Sequence, residues 1–444
     1  MRVHWFAIAG LALLSAGCAV APVKVEKEEH AILQRVEPAY RPSGQKPPLP
    51  VLTDTSGLTD FIHYALLNNP AVEMRFYQWK QDLDMTTAAR YLPPISLTLD
   101  VQITDLLYLF EPGIMTMLTP RSKTVLDAEA ASLDARKSRL MFEGEMLKTA
   151  FAVKKNAYLF RDVRQKETSF EESLTVLKEL EVVADERVKT GKASVSDVLR
   201  IQREKAELLF TLAEMKDTEQ VILAGFGAAL GLPYGTPVPA PPSNLLFTEK
   251  NFSEDDIWNV VQKNNPELAS YRDSVTRSGI FVKRMYKEYL PDWNVSLMKS
   301  MFSEMLMTEP GITVSLPWKD KVKAVIAAAE NASRKTKAEL AAKELDLAVM
   351  MADALFRWRQ ADREAALYRD ELLPRVRVEY AIQKDRYLAG SASLDDLFML
   401  LRQIIDYSRA YDSARALRQI TLSEISFMIR GDFPPEEAVL RGGP

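Results

Sequence analysis

Ile95-Ser96-Leu97-Thr98-Leu99-Asp100-Val101-Gln102-Ile103-Thr104 alternates apolar and polar side chains without a fault over ten residues. Successive side chains of a strand face opposite sides, so this stretch has one apolar and one polar surface. Its length and period suit a transmembrane β-barrel strand, apolar face outward and polar face inward. A half-buried strand of a soluble sheet has the same period. Ile312-Thr313-Val314-Ser315-Leu316 alternates likewise, and Trp293-Asn294-Val295-Ser296-Leu297 does so as far as Met298. From Pro93 to Pro120, and from Pro291 to Pro317, fewer than thirty residues hold two strands and their connection, which leaves almost no outer loop. Four strands cannot close a barrel, and open sheet edges are not tolerated in lipid. If these strands enter a membrane, several chains must each contribute four.

The strand region occurs twice because the chain does. Asn68-Asn69-Pro70 recurs as Asn264-Asn265-Pro266, 196 residues on. Tyr91-Leu92-Pro93 and Glu111-Pro112-Gly113-Ile114 recur at 198 residues, as Tyr289-Leu290-Pro291 and Glu309-Pro310-Gly311-Ile312. Gly191-Lys192-Ala193-Ser194 with Asp197 recurs at 199 as Gly390-Ser391-Ala392-Ser393 with Asp396. Ordered matches at a nearly constant offset indicate a tandem duplication, joined by a proline-rich segment from Pro233 to Pro242. Each copy reads helix, two strands, long helix, helix.

Between Pro120 and Pro233 there is no proline, and helix formers dominate. Leu126, Leu133, Leu140 and Leu147 repeat every seven residues, the apolar seam of a coiled coil. A helix from about Leu126 to Thr190 would be about 100 Å long. Gly191 breaks it, and the chain returns from Ser194 to Leu230. The second copy repeats this from about Lys319 to Ala389, with a kink expected at Pro374. Such helices must pack lengthwise on others, in the same chain or in partner subunits. The helix from Leu58 to Arg90 and the returning helix together match the long one, so the two are expected to stack end to end as a second rod.

The chain opens with Arg2, an apolar run from Trp5 to Leu14, then Ser15-Ala16-Gly17-Cys18, the pattern of a secretory signal peptide. The run is too short for a permanent span. Cysteine after small residues resembles a bacterial lipobox, in which Cys18 is lipidated and becomes the mature N-terminus; Ser15 departs from the usual leucine. Ordinary signal cleavage beside an incidental cysteine is the alternative. In bacterial lipoproteins an Asp after the cysteine often marks retention at the inner membrane; Ala19 stands there instead, so the lipobox resemblance implies the outer membrane.

The composition, 47% apolar and 27% charged, is ordinary for soluble domains, but its details narrow the chemistry. Lys+Arg 57 against Asp+Glu 61 leaves no basic surplus for nucleic acid. One cysteine and three histidines exclude a Cys/His zinc or haem site and an internal disulfide framework. Seventeen glycines are few for a loop-rich protein.

Ala65-Leu66-x-x-Asn69-Pro70, Leu92-Pro93-Pro94, Leu373-Pro374, Arg187-x-x-x-Gly191 and Arg386-Tyr387-x-x-Gly390, each turn followed by Ala-Ser-x-x-Asp, together resemble the TolC-like outer-membrane efflux proteins over nearly the whole mature chain. The resemblance implies a mainly α fold with a small β part. Three chains would close a twelve-stranded transmembrane β-barrel and a hollow coiled-coil α-barrel in the periplasm. It also implies a passive conduit, not an enzyme and without cofactor. A periplasmic membrane-fusion adaptor would couple it to an inner-membrane transporter.

In such proteins the helix-to-helix turns form the periplasmic tip where the adaptor docks, so Gly191 and Gly390 are expected there. An Asp of one turn bonds a Tyr and an Arg of the other; Asp197 and Tyr387 suit those roles, but Ala392 stands where the Arg would be. Asp197, Asp395 and Asp396 are candidate gate residues, since threefold repetition would ring the entrance with carboxylates. Helix capping and favourable placement at a helix start account for the same acids.

Met298, Met301, Met305 and Met307 invite a copper or silver reading, yet flexible apolar filling accounts for them and no Cys or His reinforces a metal. The expected organisation is signal peptide 1–17, lipid-anchored lead 18–57, repeats 58–232 and 253–432 around a linker 233–252, and a tail 433–444. The rival reading is a lipid-anchored periplasmic scaffold whose short strands form a non-conducting collar.

Overall fold

The computed structural model describes residues 19–53, 55–104, 107–191, 193–242, 245, 254–299 and 308–430. The signal peptide, Cys18, Lys192, most of 243–253, Met301, Met305, Met307 and the tail lie outside them. The chain is mostly helical with one small antiparallel sheet. Its elements are α1 (Lys24–Tyr40), α2 (Leu58–Asn68), α3 (Pro70–Ala89), β1 (Ser96–Thr104), β2 (Leu107–Leu118), α4 (Arg121–Lys189) and α5 (Val195–Ala229). Then follow α6 (Glu254–Asn264), α7 (Pro266–Tyr286), β3 (Asp292–Lys299), β4 (Thr308–Ser315), α8 (Lys319–Leu367), α9 (Leu373–Leu388) and α10 (Leu394–Ile429).

Three features depart from the sequence reading. The helix expected over Leu58–Arg90 is two helices, because Pro70 disfavours helical backbone at Asn69. Asn69 is extended, with φ −68° and ψ 123°, and its Oδ1 caps α3 by accepting from the Ala71 N–H at 2.9 Å. The interruption near Pro374 is a π-helical turn, Tyr368–Leu372, just before the proline. It absorbs the hydrogen bond that proline cannot donate. The lead, finally, contains α1.

Two compact units divide the described chain, and each draws on both halves of the sequence. The first holds α1, most of α3, the start of α4, α7, the sheet and the first part of α8. Its core is aromatic: Trp79 and Phe76 are fully buried, and Phe142 and Tyr40 nearly so. Trp79 stacks on Phe142 at 6.0 Å, and Tyr40 of α1 meets Phe76 at 4.9 Å. Ion pairs fasten α1 as well, from Arg139 to the buried Glu29 at 2.9 Å and from Arg90 to the buried Glu26 at 3.1 Å. Between α4 and α7, Arg277 pairs with Asp134 and Arg284 with Asp127, partners seven residues apart on each helix and so on one face of each.

The sheet runs in the order β1-β2-β3-β4, each pair antiparallel. In register, Leu97, Ile114, Leu297 and Pro310 line up across the four strands. Val295 and Ile312 form a row beneath with Thr116, and Trp293 and Val314 one with Leu118. Opposite residues share a face, so this face is almost wholly apolar, and it is open: Leu97 is 86% and Ile312 67% exposed. The other face carries Ser96, Thr98, Asn294, Ser296 and Thr313. Met115, Met117 and Met298 share it, as their partners Ser96, Asn294 and Gly113 show. A Cβ on Gly113 would lie 2.8 Å from Thr98 Oγ1 and 2.9 Å from Met298 Cγ, so only glycine lets these side chains fold in. Pairing of β2 with β3 begins at Gly113, one residue past Pro112, which has no N–H to give.

The second unit holds α2, the rest of α4, α5, α6, the end of α8, α9 and α10. One core gathers Phe61, Ala65, Val153, Ala157, Phe226 and Leu230. Beside it α5 ends against the Asn-Asn-Pro break. Asn68 Nδ2 donates to the Leu230 carbonyl at 2.8 Å and Asn69 Nδ2 to the Ala229 carbonyl at 3.0 Å, satisfying acceptors that a helix end leaves open. Gly231 closes α5 with φ +73°, and a Cβ there would sit 2.7 Å from Asn69 Cα. The second half repeats the arrangement, Asn265 Nδ2 donating to the Met428 carbonyl of α10 at 2.9 Å. A second core gathers Phe170, Leu177, Ile201, Leu208, Leu397 and Phe398.

Candidate gate at the helix turns

The two turns α4–α5 and α9–α10 both lie in the second unit, beside its second core. Gly191 and Gly390 take φ +71° and +82°, the left-handed region that favours glycine. Gly390 N donates to the Tyr387 carbonyl at 2.9 Å and Ser391 N to the Arg386 carbonyl at 2.9 Å, which ends α9 in a Schellman turn. Ser194 and Ser393 then cap the returning helices. Asp197 Oδ2 accepts from Ser194 N at 3.0 Å, closing a capping box, while Ser393 Oγ accepts from Asp396 N at 3.2 Å.

Each candidate acid therefore has a partner within the chain. Asp197 is engaged by Ser194. Asp396 Oδ2 also accepts from Gln383 Nε2 at 3.2 Å. Asp395 forms an ion pair with Arg200, joining α10 to α5. That pair edges a cavity of 380 Å³ whose walls include Arg203, Glu204, Phe398, Met399 and Arg402. Arg402 in turn donates to Glu204 at 3.1 Å.

Tyr387 is 5% exposed, and its hydroxyl makes no hydrogen bond of normal geometry among the described residues. Burial pushes the Tyr387 phenol up; the Arg187 charge opposes that, and the charge of the nearby Asp197 adds to it. Two turns back on α9, burial and the Glu179 charge push Tyr380 up to about 12. Both phenols are thus neutral at any physiological pH.

What holds Tyr387 is Arg187. Its guanidinium carbon lies 4.8 Å from the ring centroid, and its Nη1 donates to the Tyr387 carbonyl at 2.5 Å. Its Nη2 would stand 3.2 Å from a Cβ on Gly390. One cation thus binds the face of a tyrosine and the end of α9 and lies beside the turn glycine, two hundred residues away in sequence. Sequence reasoning placed Arg187 only in a motif, and missed Arg200 and the capping by Asn69 and Asn265. The available signal was the pairing of Arg187 with Arg386 across the repeat. Arg386 behaves differently: among the described residues its guanidinium donates to Gln383 of its own helix at 3.5 Å.

Among the described residues no group of three or more His, Cys, Asp or Glu could hold a metal ion. No described helix is long and apolar enough to cross a membrane.

No protein-family model matches the sequence, and no curated protein matches it either. Solved structures do match. VceC, an outer-membrane protein of Vibrio cholerae, is 12% identical with a TM-score of 0.72, over 85% of this chain and 97% of that one. The outer-membrane channel CmeC of Campylobacter jejuni is 13% identical with a TM-score of 0.73, over 87% and 90%. The open state of the Neisseria gonorrhoeae outer-membrane channel MtrE is 15% identical with a TM-score of 0.71, over 85% and 89%. At such identities the likeness establishes architecture: this chain has the fold of outer-membrane channel proteins.

Proposed function

We propose that the chain is the outer-membrane channel of a tripartite efflux system, a passive homotrimeric conduit from periplasm to exterior. A periplasmic adaptor would couple it to an inner-membrane transporter that supplies the energy, and the channel itself would catalyse no reaction. The observation that carries this reading is the four-stranded sheet, apolar and exposed on one face, polar with three methionines on the other, with β1 and β4 as open edges. Three copies joined edge to edge would give twelve strands, cover every edge and turn the apolar face to lipid. The long helices would close the periplasmic tube in the same assembly. Their exposed apolar side chains, among them Leu345, Val349 and Phe356 on α8, support partners along their length.

The same order of helices and strands in both halves supports tandem duplication, with repeats 58–232 and 253–432. Lipidation of Cys18 completes the reading. Ala19, the residue that follows it, bridges to Tyr91 beside the helix-side end of the sheet. Gly191 and Gly390 would form the adaptor-facing tip. Asp197, Asp395 and Asp396 would line its constriction with Tyr387 buried in its wall, held closed by Arg187 and Arg200.

Single-channel conductance of the purified protein in planar bilayers tests the proposal. Discrete openings are expected, more frequent when Asp395 and Asp396 are both replaced by alanine. Silence in both proteins would favour the scaffold with a non-conducting collar. A monomer by detergent-corrected light scattering would sink the trimer and the barrel with it.

A further inference from the structure

Every passage between sheet and helices lies at one end of the sheet: Tyr91 to Ile95 into β1, Thr119 and Pro120 out of β2, Lys287 to Pro291 into β3, Leu316 to Trp318 out of β4. The register confirms it, since Leu118 faces Trp293 and Trp293 faces Val314. This end carries exposed aromatic side chains: Tyr91, Tyr286, Tyr289, Trp293 and, at 81%, Trp318. Amphipathic rings of this kind collect where a polar headgroup layer meets hydrocarbon. The apolar sheet face, with Leu97 and Ile312, begins beside them.

Charge selects the partner. Exposed bases surround the rings: Arg121, Lys287, Lys319, Lys321 and Lys323. Nearby acids are already engaged. Lys123 takes Asp292 and Glu288, Arg284 takes Asp127 and Glu288, and the Tyr286 hydroxyl donates to Glu330 at 2.7 Å. Asp320 lies among the bases and pairs with Lys323 at 3.7 Å, which leaves Arg121, Lys287, Lys319 and Lys321 without an ion pair among the described residues. The buried Lys123 and the part-buried Arg284 take the nearby acids, and exposed cations remain.

We propose that this aromatic and basic ring is a docking surface for the headgroup layer of an anionic phospholipid leaflet, Trp318 and Trp293 entering the interface and the lysines meeting phosphate. The inference rests on the reading that the strands enter a membrane. It adds which leaflet chemistry the protein selects and which residues select it. Each base near an anionic surface is worth about fivefold in binding.

The test uses the full-length protein reconstituted in phosphatidylcholine vesicles containing acyl-brominated phosphatidylglycerol or acyl-brominated phosphatidylcholine. Subtracting the fluorescence of a Trp318→Phe variant isolates the Trp318 signal. Brominated phosphatidylglycerol should quench Trp318 at roughly tenfold lower mole fraction than the brominated choline lipid. The quadruple variant Lys287→Gln, Lys319→Gln, Lys321→Gln, Lys323→Gln should keep the quenching and lose that preference. Equal quenching by the two lipids in the parent, or an unchanged preference in the quadruple variant, overturns the proposal. A Leu97→Trp variant supplies a separate reporter on the apolar face. Quenching of Leu97→Trp with none at Trp318 would place Trp318 against another copy of the chain and overturn the headgroup surface alone. No quenching of either reporter would remove the membrane reading, and the inference with it.

Discussion

Replacing Arg187 by alanine tests what holds the two turns together. The side chain gives one charge-assisted hydrogen bond to the Tyr387 carbonyl, worth about 1.5–3 kcal/mol. It adds a cation–π contact at 4.8 Å, worth about 0.5–1 kcal/mol where water still has access. Because Arg187 is half-buried and water will solvate the freed carbonyl, the net loss should be about 2–3 kcal/mol, or roughly 30- to 150-fold in the local opening equilibrium. The amides of Gly390 and Ser391 report that opening, since they are bonded to Tyr387 and Arg386 carbonyls. Their hydrogen exchange should accelerate by the same factor in Arg187→Ala. The companion variant is Tyr387→Phe. The hydroxyl has no hydrogen bond of normal geometry, while the ring and the carbonyl that Arg187 uses survive the change. Exchange in Tyr387→Phe should therefore stay within about twofold of the parent. A bond from Asp197 to the tyrosine hydroxyl, the arrangement that the family resemblance implies, predicts the opposite order. Unchanged exchange in Arg187→Ala, or rapid exchange in Tyr387→Phe, would refute the Arg187 latch.

Gly231→Ala should destabilise the protein by roughly 2–5 kcal/mol, combining a left-handed backbone with a Cβ set against Asn69. Gly235→Ala, at φ +85° with nothing within 4 Å, should cost only about 1–2 kcal/mol; equal urea midpoints for the two would contradict the close approach. Asn265→Ala leaves the Met428 carbonyl of α10 without that donor, and Asn265 is 4% exposed, so a loss of about 1–3 kcal/mol is expected, larger than for the half-buried Asn69→Ala. Burial, then the charge of Asp162, pushes Asp412 up to about 6 against Arg415, Lys166 and Arg161. A carboxyl raised by folding is most favourable when protonated, so its contribution is full below about pH 4 and lost as pH rises through about 6. Asp412→Asn should therefore melt higher than the parent near pH 7.5 and alike near pH 4, and parallel melting curves across that range would disprove the coupling.

The strands, the long helices and the glycine turns were legible because each is a local pattern: period two from Ile95, period seven from Leu126, and a glycine that breaks a helix at 191 and 390. The interruption of the first helix was half legible. Pro70 was visible, but its consequence lies in the side chains of Asn68 and Asn69, which reach carbonyls about 160 residues away. Helix α1 was hidden for a different reason. Lys24–Tyr40 holds so many charges that it reads as solvated, yet Glu26 and Glu29 are buried because Arg90 and Arg139 wait for them. Charge pattern alone cannot distinguish a solvated acid from one whose partner is 64 or 110 residues distant.

The halves of the chain differ where side chains, not backbone, set the outcome. Gly113 and Gly311 both admit a neighbouring hydroxyl into the sheet, from Thr98 and Ser296. Asn69 and Asn265 both cap the helix that ends beside them. Gly231 and Arg430, 199 residues apart, both adopt positive φ, although only one is glycine. At the turns the backbone still agrees, but the charges part company. Arg187 crosses to Tyr387 while Arg386 stays on its own helix. Arg200 reaches Asp395, whereas 199 residues on the chain has Met399, 55% exposed. At these positions the backbone agrees between the halves, whereas along the long helices the π-helical turn Tyr368–Leu372 has no counterpart in α4. An ion pair between the two turns requires a difference between them, since identical turns would set like charge against like. Arg200 with Asp395, and Arg187 with the Tyr387 carbonyl, hold the two turns to each other at the place where the proposed channel must close.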